Sequence, residues 1–183
     1  MRNLTKKALA MELIGLCEEI PLKDIRIKDF IEYTNISKQT FYNYFKDKAD
    51  LMNYVFEVAA RKIVDDMDPS IDGFYDSVIR WTQVCLENRK FYIQLAKYET
   101  QNNFTQYFIK TCEAVYEQKL INAKGPAIID TQMRQVIHIH CVGYCTFLVE
   151  WIQNGMKEPP EQIAEILLAC FPVGIQTSLE AMQ

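Results

Sequence analysis

Apolar residues recur at intervals of three and four along almost the whole chain. Leu9, Leu13, Leu16 and Ile20 form one such stripe, and Ile27, Phe30 and Ile31 begin the next. This period predicts helices. No Asn-Gly or Asp-Gly pair stands between alternating apolar runs, the arrangement a hairpin would need; the single Asp72-Gly73 precedes a helical pattern. Pro21 ends the first helix, and the second stops near Tyr33-Thr34-Asn35, where Asn35 tolerates the left-handed backbone of a tight turn. Ser37 is an N-cap for a short third helix. Asp47, with Asp50 three residues on, caps a longer fourth helix over 47–66 that carries Leu51, Val55, Val58 and Ile63. The run from Asp65 to Pro69 breaks the pattern. Beyond it the spacing predicts helices at 74–87, 90–98, 104–123, 131–154 and 160–170, with a short piece after Pro172. Gly125-Pro126 and Gly155 to Pro160 mark connections. The expected fold class is all-α.

Composition sharpens this. With 183 residues, 49% of them hydrophobic and 24% charged, the chain suits one compact domain or two small ones with a real core. The formal net charge of −4 hides an asymmetry. Residues 1–62 hold eleven Lys and Arg against nine Asp and Glu; residues 63–183 hold nine against fifteen. A small N-terminal surplus has meaning only if it is concentrated where an anion binds. No apolar signal core opens the chain, and the longest uncharged stretch, 136–149, is too short to span a bilayer. The six Cys show no CxxC spacing, so free thiols in a reducing cytoplasm are expected. His138, Cys141 and Cys145 share a helix face and can in principle hold a metal or sense oxidation, but free Cys is common in helical cores and no metal is expected. There is no phosphate-cradling glycine loop and no nucleophile elbow, so neither an enzyme nor a cofactor is expected.

The candidate chemistry lies in residues 37–51, SKQTFYNYFKDKADL. Two short helices joined by a tight turn are a helix-turn-helix, whose second helix fits the major groove. Phe41 and Phe45 are four apart and should pack inward. Lys38, Gln39, Tyr42 and Asn43 then lie elsewhere on the helix. Gln and Asn can pair bidentately with adenine, while Lys and the Tyr hydroxyl reach phosphates or guanine. Lys48 opens the fourth helix, where free N–H groups favour a phosphate.

The run Ser37, Thr40, Phe41, Tyr42, Phe45, Lys48, Leu51, within TKKALAMELIGL…IRIKDFIEYTNISKQTFYNYFKDKADLM, resembles the DNA-binding domain of the tetracycline-repressor (TetR) family of bacterial transcription regulators. The stretch FLVEWIQNGMKEPPEQIAEIL is similar to the branch that includes dihydroxyacetone-kinase operon regulators. The resemblance implies a three-helix DNA-binding domain over 1–48 and a helical effector-binding and dimerisation domain over 49–183, joined by the 47–66 helix. It implies phosphate contacts from Thr40, Tyr42, Tyr44 and Lys48 and base contacts from Lys38, Gln39 and Asn43. Arg26 stands where the family usually has a capping Thr; it cannot cap, but it can reach a phosphate. Asn35 replaces the usual turn Gly.

The 131–154 helix is apolar on all sides and must be covered on all sides, by the rest of the chain or by a second copy. We expect a homodimer interface from Tyr144, Phe147, Leu148 and Trp151 together with Ile163, Ile166, Leu167 and Cys170, as the family also implies. An aromatic-rich middle can fill the core or line a pocket, and the family implies an effector cavity there. Trp81, Cys85, Tyr107, Thr111 and His140 are the expected lining. The expectation is thus a cytoplasmic homodimeric repressor on a palindromic double-stranded operator, controlled by a small molecule. The alternative is an interaction protein of the same fold controlled by docking to a protein partner.

Overall fold

The computed structural model describes residues 5–67, 70–98 and 104–180. Asp68 and Pro69, part of the break expected after the fourth helix, lie outside the described residues. Within them the chain is helical throughout, with no strand. The helices are α1 (Lys6–Glu19), α2 (Ile27–Thr34), α3 (Lys38–Tyr44), α4 (Lys48–Asp65), α5 (Ile71–Glu87), α6 (Arg89–Lys97), α7 (Phe104–Lys124), α8 (Thr131–Gln153), α9 (Pro160–Ala169) and α10 (Val173–Glu180).

Side-chain caps set several of these boundaries. Ser37 Oγ accepts from the Thr40 N–H at 3.0 Å, and Asp47 Oδ1 accepts from the Asp50 N–H at 2.8 Å. Asp50 reaches back to the Lys46 N–H at 3.0 Å. Ser70 Oγ accepts from Gly73 N–H, so α5 begins at Ile71 rather than at 74 and takes Asp72-Gly73 inside its first turn. Asn35 sits at φ 53°, ψ 41°, the left-handed turn its side chain tolerates.

A continuous core runs from Leu9 to Ile175. Phe30, Phe41 and Phe45 bury their rings between α1, α2 and α3, with the Phe30 and Phe41 centroids 5.9 Å apart, edge to face. α1 also packs on α4 and α6, α5 on α9, and α7 on α8. The Leu22 N–H donates to Gln94 Oε1 at 2.6 Å, fastening the α1–α2 turn to α6.

The tertiary structure corrects part of the expected interface. Leu148, Trp151 and Ile163 are 0, 4 and 1% exposed and belong to the chain's own core. Trp151 Nε1 donates internally, to the Glu158 carbonyl at 3.2 Å. Leu167 is also buried, and Tyr144 lines an internal cavity. Phe147, Ile166 and Cys170 remain at the surface, beside Val136, Ile139 and Val142, which sequence reasoning did not put forward as interface residues. α8 carries two apolar stripes, and nothing in their composition says which one faces inward.

Candidate nucleic-acid interface and effector cavity

α3 is held by Phe41 and Phe45 and turns its polar side chains outward. Lys38, Gln39, Tyr42, Asn43 and Tyr44 are exposed, and Thr40 is half-buried. The Thr40 hydroxyl pairs with Ser37 Oγ at 2.8 Å. The Lys38 ammonium stands 6.0 Å from the Tyr42 ring centroid. Gln39 Nε2 donates to Asn43 Oδ1 at 3.1 Å. That bond leaves the Gln39 carbonyl and the Asn43 amide hydrogens outward. An acceptor and a donor side by side are what adenine's N6 and N7 require in the major groove.

Two expected phosphate ligands are placed differently. Lys48 does not stand free. Its Nζ donates to the Leu22 and Ile25 carbonyls at 2.9 and 2.8 Å, reaches the Lys23 carbonyl at 3.5 Å, and lies 4.7 Å from the Tyr98 ring. An ammonium has three donors, and these carbonyls occupy them. Lys48 thus staples the α1–α2 turn. We expect Lys48→Ala to lower stability by about 1–3 kcal/mol in a urea titration and to leave the salt dependence of DNA binding unchanged. A flattened salt slope at wild-type stability would restore Lys48 as a phosphate ligand.

Arg26 is gripped by Asp29. Its Nε and an Nη donate to the two carboxylate oxygens at 3.0 Å each, and its backbone N–H donates to Oδ2 at 2.8 Å. The cap of α2 is therefore Asp29, and the paired guanidinium offers less charge to a phosphate. The hydrogen bonds from Arg26 hold the Asp29 carboxyl down at about 2. Lys46, exposed just after α3, is a further cation on this side.

A second feature is a cavity of about 70 Å³ between α4, α5, α7 and α8. Of the expected lining, Trp81 and Thr111 are in its wall. Cys85 is fully buried away from it, and burial pushes its thiol well up. Tyr107 instead bonds to Glu57 of α4. Burial, then that bond, raises its phenol. His140 sits behind the wall, its Nε2 3.0 Å from the Tyr116 hydroxyl, and burial lowers its pKa to about 4, so it is neutral at pH 7.

The missed wall residues are chiefly Phe56, Ala60, Ile63 and Val64 on α4. Their signal was present: the α4 stripe continues past Val55, which the N-terminal core needs, toward a second neighbour. The His138, Cys141 and Cys145 face does not converge. His138 is exposed and its Nδ1 meets Glu113 Oε1 at 2.6 Å, while both Cys are buried.

A helical chain with a short capped helix presenting amide and phenol groups is of the helix-turn-helix regulator class. A family model described as the transcriptional regulator C-terminal region, of the TetR type, matches residues 72–171. The chain belongs to this TetR family of transcriptional regulators, and its relatives are regulators rather than enzymes. It is 22% identical, over 91% of its length and 90% of the relative's, to the HTH-type dhaKLM operon transcriptional activator DhaS of Lactococcus lactis subsp. lactis (strain IL1403). The solved structure of a dihydroxyacetone kinase operon activator DhaS shares the fold, with a TM-score of 0.64, 18% identity and 96% coverage of both chains. Among the described residues no helix is long and apolar enough to cross a membrane.

Proposed function

We propose that this regulator binds a palindromic DNA operator as a homodimer, with residues 1–48 as the DNA-binding unit and 49–183 as the effector and dimerisation unit. The observation that carries this reading is the division of α3 into a buried Phe41 and Phe45 side and an exposed Lys38, Gln39, Tyr42 and Asn43 side. Lys38, Gln39 and Asn43 are the base-facing set, and Tyr42, Tyr44 and Thr40 the phosphate set.

A groove between α8 and α9 supports the dimer. Its apolar residues are the exposed Ile139 and Ile166 and the half-buried Val136 and Phe147. Gly143 stands among them with open space where a Cβ would be. A mid-helix glycine costs about 0.5–1 kcal/mol relative to alanine, and here it permits a second helix to approach closely. Two copies joined on this face would address two half-sites.

The direction of control is proposed from the relatives, whose names are those of operon activators, in place of the repression expected from the sequence. A small-molecule effector in the α4/α5/α7/α8 cavity would act through α4, which also packs on α1.

Gel-shift titration on the DNA upstream of the regulated operon tests the interface. Tyr42→Ala should weaken binding to every sequence alike and leave the salt slope near that of the unsubstituted protein, because a phenol carries no charge to displace a counterion. Gln39→Ala should relax preference at one base position by about 5- to 150-fold, the range of one bidentate contact. Unchanged affinity and preference in both variants would refute the assignment.

A further inference from the structure

The cavity wall carries no charged side chain. Of its polar hydroxyls, Ser77 and Thr111 already donate to their own helix, to the Phe74 carbonyl at 2.7 Å and the Tyr107 carbonyl at 2.9 Å. A charged or polyhydroxylated molecule placed there would lose its hydration and find few donors in return. Lys119 and Asp65 lie outside the wall, in a separate surface groove, and Lys119 already donates to the Met67 carbonyl at 2.9 Å. One donor is nevertheless unmet. Trp81 Nε1, in the wall, is the buried side-chain polar atom without a hydrogen-bond partner among the described residues. The Phe56, Phe108 and Tyr92 rings pack against the indole with centroids 5.1, 5.5 and 5.5 Å away.

We infer that the cavity takes a small uncharged apolar molecule, about one ring in size, bearing a single hydrogen-bond acceptor that meets Trp81 Nε1. The inference rests on the small-molecule reading above and names the class of ligand. The size follows from the volume: about 70 Å³ is less room than a cavity that holds one benzene ring, so a single ring enters only as the wall gives way and nothing larger is accommodated. The class follows from the unpaired donor, since an acceptor that reaches it recovers a hydrogen bond the empty protein forgoes. The route of the signal follows from the ring packing. An acceptor reaches the sealed N–H when a ring packed on the indole gives way, and one of those rings, Phe56, lies on α4, next to Val55 and one turn beyond Met52 of the core. Dihydroxyacetone, the ketone in the printed name of one relative, has an acceptor carbonyl but also two hydroxyls that this apolar wall does not pair.

The experiment uses the full chain, ¹⁵N-labelled at its two Trp indoles, titrated with acetophenone, ethylbenzene, benzoate and glycerol. Acetophenone should bind about five- to tenfold more tightly than ethylbenzene and move the Trp81 indole resonance, which ethylbenzene should leave near its place. Trp81→Phe should abolish that difference while retaining ethylbenzene binding. Benzoate and glycerol should not compete. Saturable binding of benzoate or glycerol in the cavity would overturn the ligand class and leave the effector reading standing. Equal affinities of acetophenone and ethylbenzene with an unmoved Trp81 resonance would overturn the role of the indole. Binding by none of the four would overturn the inference and the effector reading together.

Discussion

Ile139→Asp is expected to convert the protein to a monomer at micromolar concentration and to lower its operator affinity by about 10²- to 10⁴-fold. Ile139 is 72% exposed in the single chain, so the substitution costs the fold little. In the proposed dimer the same side chain lies within the α8–α9 face, and a carboxylate there would be buried without a partner. The large loss on DNA comes from linkage. Two recognition helices on one particle make the second half-site contact intramolecular, and separating the copies removes that gain without touching α3. Light scattering and gel-shift titration on one preparation check both halves. A dimer that persists with operator affinity unchanged would sink the assignment of this face.

Phe41→Ala is expected to cost about 3–5 kcal/mol of stability, whereas Tyr42→Ala should change it by less than about 0.5 kcal/mol. The residues are neighbours with opposite environments. Phe41 is 0% exposed and contacts Phe30, Phe45 and Tyr42 at centroid separations of 5.9, 5.8 and 5.2 Å; Tyr42 is 47% exposed. Removing the first leaves a cavity bounded by α2 and α3, which a short helix cannot collapse to fill. Removing the second takes away a surface ring. Urea unfolding measures the difference, and equal midpoints for the two variants would mean that α3 is seated by something other than its phenylalanines.

The helices were legible because their signals are local. Period, caps and breakers act within a few residues, so Ser37, Asn35 and Asp47 announced the turn and the caps before any packing was known. α3 was legible for the same reason: Phe41 and Phe45 share a face by their spacing alone. The internal bonds of Lys48 were not legible because its ammonium is claimed by Leu22, Lys23 and Ile25, more than twenty residues earlier. No local rule reports that a distant turn will bring its carbonyls there. Arg26 differs, since its partner Asp29 lies three residues on, and the acid was visible in the sequence.

By itself, then, the sequence determined the all-helical class, the short turn and the two-sided third helix, because each is decided by neighbours along the chain. Only the tertiary structure decided which apolar stripe of α8 is core and which is open, that Leu148, Trp151 and Ile163 turn inward, and that α4 closes the cavity. Those outcomes depend on which helices meet, and an apolar side chain is equally content against any of them: hydrophobic burial has magnitude but no direction.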